Sequence, residues 1–413
     1  MSVRVHPLQR GAWTRALAPS TIGTVGIGLG LLALFLALPP AKVRTAPLPV
    51  AIGIFAVAAG IWAYTRGERR IGGGAVVSGL AGIGIALIVM QANGARLEGV
   101  FVWSALIAAT LRYATPLTFA AIGGMFSERS GVVNIGLEGM MLMGAYFGAY
   151  GADATGSWVG GLFIGLISGA LLAFVHAIFT ITLRADQIVT GTAINFLALG
   201  VTGYLYNQHY GNNGTPENLP AVPDVNLKFL SHIPPQGLGN FLYNSIGQLN
   251  LMVWLSLLLL PVSYVALFKT PIGLRIRSVG EHPKAADTVG IPVYRTRYAA
   301  VTLSGALAAL GGVFLSIGFV NSFTENMTAG RGFIALAALI FGGWRPFGAF
   351  AAALLFGFSS ALAARLPDLS ASDTAAWPLL FQTLPYVLTL IAVAGVIGRS
   401  IPPAAIGRPY VKQ

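Results

Sequence analysis

The chain has no cysteine among its 413 residues. That excludes a disulfide framework, thiol chemistry and any cysteine-ligated metal. Charge is scarce too. Asp, Glu, Lys and Arg make up 9 % of the residues, against roughly 25 % in ordinary soluble domains. A soluble protein of this length needs polar residues to cover its surface, and they are missing. The five lysines follow Ala41, Leu227, Phe268, Pro283 and Val411. None has the preceding glycine that a phosphate-cradling Walker A loop requires. The five histidines, at 6, 176, 209, 232 and 282, form no HExxH or other tight ligand spacing. Catalysis within the chain therefore has little to draw on, and neither metal nor cofactor is expected. The net charge is +12, but the basic residues form no aromatic-interleaved patch. They sit between apolar runs, as in the loops of a membrane protein, and give no sign of a nucleic-acid surface.

What remains is apolar. Hydrophobic residues make up 55 % of the chain and the mean hydropathy is +0.74. The expected fold is an all-α, polytopic transmembrane bundle of about 10–12 membrane segments in a lipid bilayer. Fifty-three glycines suit close helix–helix approach in lipid, and Gly161, Gly165 and Gly169 form the clearest ladder. Apolar runs lie near 21–38, 47–64, 74–91, 100–122, 131–150, 157–183, 187–206, 250–268, 297–320, 331–343, 346–364 and 379–397. Most approach the ~20 residues that cross ~30 Å of hydrocarbon. The run at 331–343 is too short, and 131–150 is interrupted by Gly and Glu, so either suits a broken or re-entrant helix. The first run follows Arg4, Arg10 and Arg15 and ends at Pro39–Pro40. A secretory signal resembles it, but its length and the spans that follow favour a retained helix.

If all twelve runs cross, eighteen of the 25 basic residues fall on the side of the N-terminus and six on the other. Arg112 lies within a run. This asymmetry predicts that both termini are cytoplasmic. Residues 207–249, rich in Asn, Pro and Gly, then form an external loop, either an entrance or a plain connector. Residues 269–297 form a basic cytoplasmic loop. Within it, Pro283 suits a first helical position and Gly290 the residue past a helix end. A short surface helix is expected there, small-faced at Ala285 and Ala286.

The stretch from Thr115 to Tyr150 organises the rest. Two apolar runs flank a polar joint, Ser127–Glu128–Arg129–Ser130, and Asn134 and Glu138 lie in the second run. Of the thirteen acidic residues, Glu138 is the one expected well inside an apolar span, which makes it a functional candidate. Arg112 is placed either in a pair with Glu138 or near the outer surface ahead of Pro116. His176 reads as a hydrogen-bonded packing residue. With Asp186 near a membrane edge, this set is thin for an ion-coupled engine.

Three motifs carry a resemblance: TPLTFAAIGGMFSERSGVVNIGLEGMMLMGA, GLRIRSVGEHPKAADTVGI and RGFIALAALIFGGWRPFGA. Together they resemble permease subunits of bacterial ABC importers of the branched-chain amino acid, ribose and nucleoside group, with the strongest likeness to guanosine-type nucleoside permeases. The resemblance implies a permease core over 96–398, an N-terminal extension over 1–95 with about three spans, and a cytoplasmic tail over 399–413. It implies separate ABC ATPase subunits, a second, related permease and an extracytoplasmic solute-binding lipoprotein as partners in a bacterial cytoplasmic membrane. The helix near 283–289 becomes the element coupled to the ATPase, with Glu281, Pro283, Ala285, Ala286 and Gly290 as its motif positions. Asn134, Glu138 and Asn195 become candidate substrate contacts, with Phe333 and Trp344 as stacking faces for a planar base. For Asn134 an interhelical hydrogen bond competes with that role, and for the aromatic pair simple packing does. A ribose-like sugar permease and an ion-coupled carrier remain the alternatives.

Overall fold

The structure is a computed structural model describing residues 18–37, 47–91, 102–211, 214–216, 218–365 and 401–412. The expected span at 379–397, the Pro39–Pro40 stop and the basic residues Arg4, Arg10, Arg15, Lys42, Arg44, Arg96 and Arg399 lie outside them. The described residues fold into two compact units, one containing the helices before Val102 and Leu362–Arg365, the other Trp103–Ala361 with residues 401–412.

The first unit holds α1 (Pro19–Ala37), α2 (Pro47–Thr65) and α3 (Arg69–Gln91). Gly23, Gly26, Gly30 and Ala33 of α1 point inward, while Leu31 and Phe35 point out. Gly53, Ala56, Gly60 and Ala63 repeat the pattern on α2. Small residues inside and large apolar residues outside reverse the soluble rule, as expected where lipid is the solvent.

The second unit contains α4 (Trp103–Arg129), α5 (Leu137–Thr155), α6 (Trp158–Ala177), α7 (Gln187–His209), α8 (Gln236–Ile246), α9 (Leu251–Lys269), α10 (Pro271–Glu281), α11 (Pro283–Thr288), α12 (Val293–Val313), α13 (Arg331–Phe341) and α14 (Pro346–Arg365). Helices α6 and α12 run on as π-helices, Ile178–Thr182 and Phe314–Val320. Across the described residues eight helices are long and apolar enough to cross a membrane, α13 is too short, and the apolar part of α3, Ile71–Leu87, is shorter as well.

Helix α12 is the centre, packed against α4, α5 and α6. Its approach to α5 and α6 depends on missing side chains. A Cβ added at Gly165 would lie 2.4 Å from Val313 of α12 and one at Gly169 2.4 Å from Ala309, while one at Gly161 would lie 2.5 Å from the Gly148 carbonyl of α5. The ladder read from the sequence is therefore the inner face of α6, while Phe163, Ile167 and Leu171 on the same helix are exposed.

The unit has two distinct ends, separated by the ~28 Å length of the 19-residue α9 at 1.5 Å per residue. At one end β1 (Asp224–Asn226) pairs antiparallel with β2 (Gln248–Asn250), with Asp224 opposite Asn250. At the other, α10 and α11 precede α12. The two breaks expected in the chain are present. Residues 130–136 are non-helical before α5, and α13 has 11 residues.

Candidate functional site

The break between α4 and α5 is mostly buried. Non-helical backbone at that depth needs partners for its N–H and C=O groups. Side chains from two neighbouring helices, α6 and α7, provide them. Gln187 accepts from the Val133 amide at 2.7 Å, and His176 Nε2 donates to the Val133 carbonyl at 3.2 Å. Asn195 Nδ2 donates to the Ile135 carbonyl at 3.0 Å. Its Oδ1 accepts from the Gly139 amide at 2.8 Å. Asp186 caps α7 by accepting from the amides of Ile188 and Val189, which fixes the start of the helix carrying Gln187 and Asn195. The carboxamide of Asn195 is thus engaged by backbone at both ends.

Asn134 is fully buried and donates to Ser304 Oγ on α12 at 2.9 Å. Its Oδ1 has no partner among the described residues. Glu138 is 8 % exposed. Its two carboxylate oxygens accept from the amides of Gly330, at 2.7 Å, and Gly332. The carboxylate therefore closes the N-terminus of α13, where free N–H groups and the helix dipole favour negative charge. Gly332 is required for this approach, because an added Cβ would sit 2.5 Å from the N and Cα of Glu138. Arg112 takes no part. It donates to the Gln248 carbonyl at 3.1 Å, at the β-hairpin end, which settles the two placements in favour of the peripheral one.

Glu138 is not alone among the acids in being buried. The polar joint Ser127–Ser130 is largely helical, α4 continuing to Arg129, and Ser127, Glu128 and Ser130 are buried. Glu128, 2 % exposed, lies deeper than Glu138. It accepts from Trp344 Nε1, while Arg129 donates to the Trp344 carbonyl at 2.8 Å. Phe333 and Trp344 stand in different settings, the first on α13 and the second in the turn after its last residue, Phe341. Phe333 is 48 % exposed, whereas Trp344 is 4 % exposed and already bonded to Glu128.

At the other end, α11 begins with Pro283 at its first position, His282 Nδ1 accepts from the Ala285 amide at 3.1 Å, and Gly290 follows with φ +83°. Lys284, Ala285 and Val289 are exposed. Ala286 is not: at 3 % exposure it packs with Val279, Val293 and Tyr410. Of the two alanines only Ala285 offers itself to another molecule.

The tail joins this end to the break. The Ala405 amide donates to the Gly280 carbonyl at 2.9 Å, and the Gly407 amide to the Gly131 carbonyl at 3.1 Å. Glu281 Oε2 accepts from the Ala404 amide at 3.2 Å. Arg297, 2 % exposed, donates from Nε to the Ser130 carbonyl and from Nη1 to the Arg408 carbonyl. Sequence reasoning placed Arg297 among loop charges. Its only signal was a basic residue at the start of an apolar run. Among the described residues no group of His, Asp and Glu could hold a metal ion.

The model of the branched-chain amino acid transport system permease component matches residues 106–393. A guanosine ABC transporter permease protein of Bacillus subtilis, NupQ, is 43 % identical over 318 residues, covering 75 % of this chain and 97 % of that protein. A nucleoside ABC transporter permease protein of Lactococcus lactis subsp. cremoris, NupC, is 40 % identical over 318 residues, with the same coverage. A putative glucose ABC transporter permease protein of Haloferax volcanii, TsgC13, is 33 % identical over 314 residues, covering 71 % and 92 %. No solved structure matches at comparable significance. This chain belongs to the family of branched-chain amino acid transport system permease components.

Proposed function

We propose that the chain is the membrane-spanning permease of an ATP-driven importer that takes nucleosides into a bacterial cytoplasm. The observation that carries the reading is 43 % identity to a guanosine permease across 97 % of its length. The putative glucose permease among the relatives keeps a sugar as the second reading. An ion-coupled carrier has less support, because Glu138, His176 and Arg297 each bond to the chain's own backbone.

In this reading α10 and α11 face the cytoplasm with both termini, and the β-hairpin end faces outward toward a solute-binding lipoprotein. ATP hydrolysis belongs to a separate subunit that receives α11, with Lys284, Ala285 and Val289 at the contact and Glu281, Pro283 and Gly290 shaping it. Helices α1–α3 act as an added anchor or interaction module. A second, related permease completes the pathway. Supporting that pairing, Bacillus subtilis and Lactococcus lactis each hold another permease protein similar to this chain, NupP at 24 % and NupB at 26 % identity.

Uptake of labelled guanosine by vesicles holding the permeases and ATPase, supplied with the binding protein, tests the reading. Uptake that requires ATP and survives collapse of the ion gradient is expected. Uptake driven by the gradient alone sinks it. The coupling surface has its own test. Ala285→Trp adds bulk at an exposed position and leaves the bundle folded, so uptake falls by about tenfold or more through lost ATPase docking, as loss of ~1.4 kcal/mol would give. Ala286→Leu would instead disturb the chain's own packing. Full uptake with Trp at 285 removes α11 from the interface.

A further inference from the structure

A cavity of about 290 Å³ opens at the β-hairpin end between α4, the two strands and the π-helical end of α12. It lies just below the roughly 300–1,000 Å³ range of small-molecule sites, enough for one small solute. Arg112 and Asp224 both line it, yet no hydrogen bond or ion pair joins them. Arg112 uses Nη2 on the Gln248 carbonyl, and the rest of its five-donor fork has no partner among the described residues. The Asp224 carboxylate is exposed and accepts no hydrogen bond among the described residues. Opposite charges left apart across a small cavity suit a neutral ligand that offers acceptors at one end and donors at the other.

The wall is aromatic. Phe314 and Phe319 stack with centroids 5.9 Å apart and planes at 20°. Residues five apart lie on well-separated faces of an α-helix, so the π-helical winding of Phe314–Val320 brings the two rings together; such segments are frequent at functional sites. Asn321 ends the π-helix at φ +57° and lines the same cavity. The other side is held firm. Asn250 donates to the Val222 carbonyl and accepts from the Met252 amide, while the Val222 amide donates to the Ile317 carbonyl at 2.9 Å. Asn250 is therefore wall, and the groups free to bind are those of Arg112, Asp224 and Asn321 beside the ring of Phe319.

We propose that this cavity is an entry subsite for a purine nucleoside, with its ribose diol donating to Asp224, its base acceptors facing Arg112 and its ring plane on Phe319. The inference rests on the nucleoside-importer reading. A guanidinium fork matches the paired O6 and N7 acceptors of guanine, and a carboxylate accepts from both hydroxyls of a cis-diol. Aromatic side chains stack on any base face.

Asp224→Asn is the decisive variant, being isosteric and exposed. Guanosine and 2′,3′-dideoxyguanosine are compared in ATP-driven uptake with the same binding protein throughout. The wild type is expected to favour guanosine. Asp224→Asn is expected to raise KM for guanosine about tenfold while leaving the dideoxy compound unaffected, so the preference collapses. Phe319→Leu, which keeps bulk but loses the ring, should raise KM for both. Membrane abundance is measured for each variant. If the wild type imports guanosine and Asp224→Asn keeps both its KM and its preference, the subsite is overturned and the importer reading stands. If the wild type imports no nucleoside with its ATPase and binding protein present, both fall.

Discussion

Replacing Gly332 by alanine is expected to abolish uptake as completely as replacing Glu138 by glutamine, although the first change leaves the carboxylate in place. The added methyl group would lie 2.5 Å from the backbone of Glu138, so α13 must move away from α5. Overpacking of this kind costs about 1–3 kcal/mol, and the obstacle here is backbone, which cannot swing aside. The movement draws the amides of Gly330 and Gly332 off the carboxylate. In Glu138→Gln the shape survives, but a glutamine carries one acceptor oxygen and one NH₂ group. One α13 amide then faces a donor and is left buried without an acceptor, at a cost of about 1–3 kcal/mol. The lost charge at the helix N-terminus adds up to ~2 kcal/mol.

The pair of variants separates two roles for Glu138. If the carboxylate fixes α13, both changes lower thermal stability in detergent and both stop uptake. If it touches solute, Glu138→Gln stops uptake at unchanged stability and Gly332→Ala does not mimic it. The favoured outcome is the first, because both carboxylate oxygens already hold α13 amides.

Membrane spans, the glycine ladder and the short helix at Pro283 were readable because each is written in a local pattern: length, small-residue spacing, a proline before and a glycine after. Buried charge was not readable. Glu128 and Glu138 lie ten positions apart, and the sequence ranks the second as the stranded one because its neighbours are more apolar. Depth is decided elsewhere, by Trp344 for Glu128 and by Gly330 and Gly332 for Glu138, each about 200 positions away. Asn195 shows the same limit. An amide in an apolar helix signals a hydrogen bond, but whether its partner is solute or backbone depends on a break in another helix. The cavity beside Arg112 had still less trace, since α4, a strand and a π-helix meet there only in the folded chain.

Arg297→Ala is expected to uncouple the transporter rather than empty its pathway. The guanidinium lies 2 % exposed between two carbonyls, Ser130 at the break and Arg408 in the tail. Removing it leaves both carbonyls short of a charged donor and opens a void, costing about 3 kcal/mol or more. Lysine does not replace it, because a single ammonium cannot reproduce the fork that reaches both. The tail continues the connection by bonding to Gly280 and Gly131 and packing Tyr410 against Ala286. In the proposed reading a push on α11 would reach residues 130–136 through short hydrogen-bonded steps, buried at Gly280, Arg297 and Ser130 and exposed at Gly407 and Arg408, and Glu138 lies just beyond them. Ending the chain at residue 400 should reproduce the effect of Arg297→Ala while leaving α12 intact. In both variants the ATPase still associates and hydrolyses ATP, because exposed Ala285 is untouched, but guanosine uptake per ATP falls at least about tenfold, as loss of ~1.4 kcal/mol would give. Uptake and hydrolysis falling together would show instead that the tail only holds α11 in place for docking, and full uptake without the tail would remove it from the coupling path.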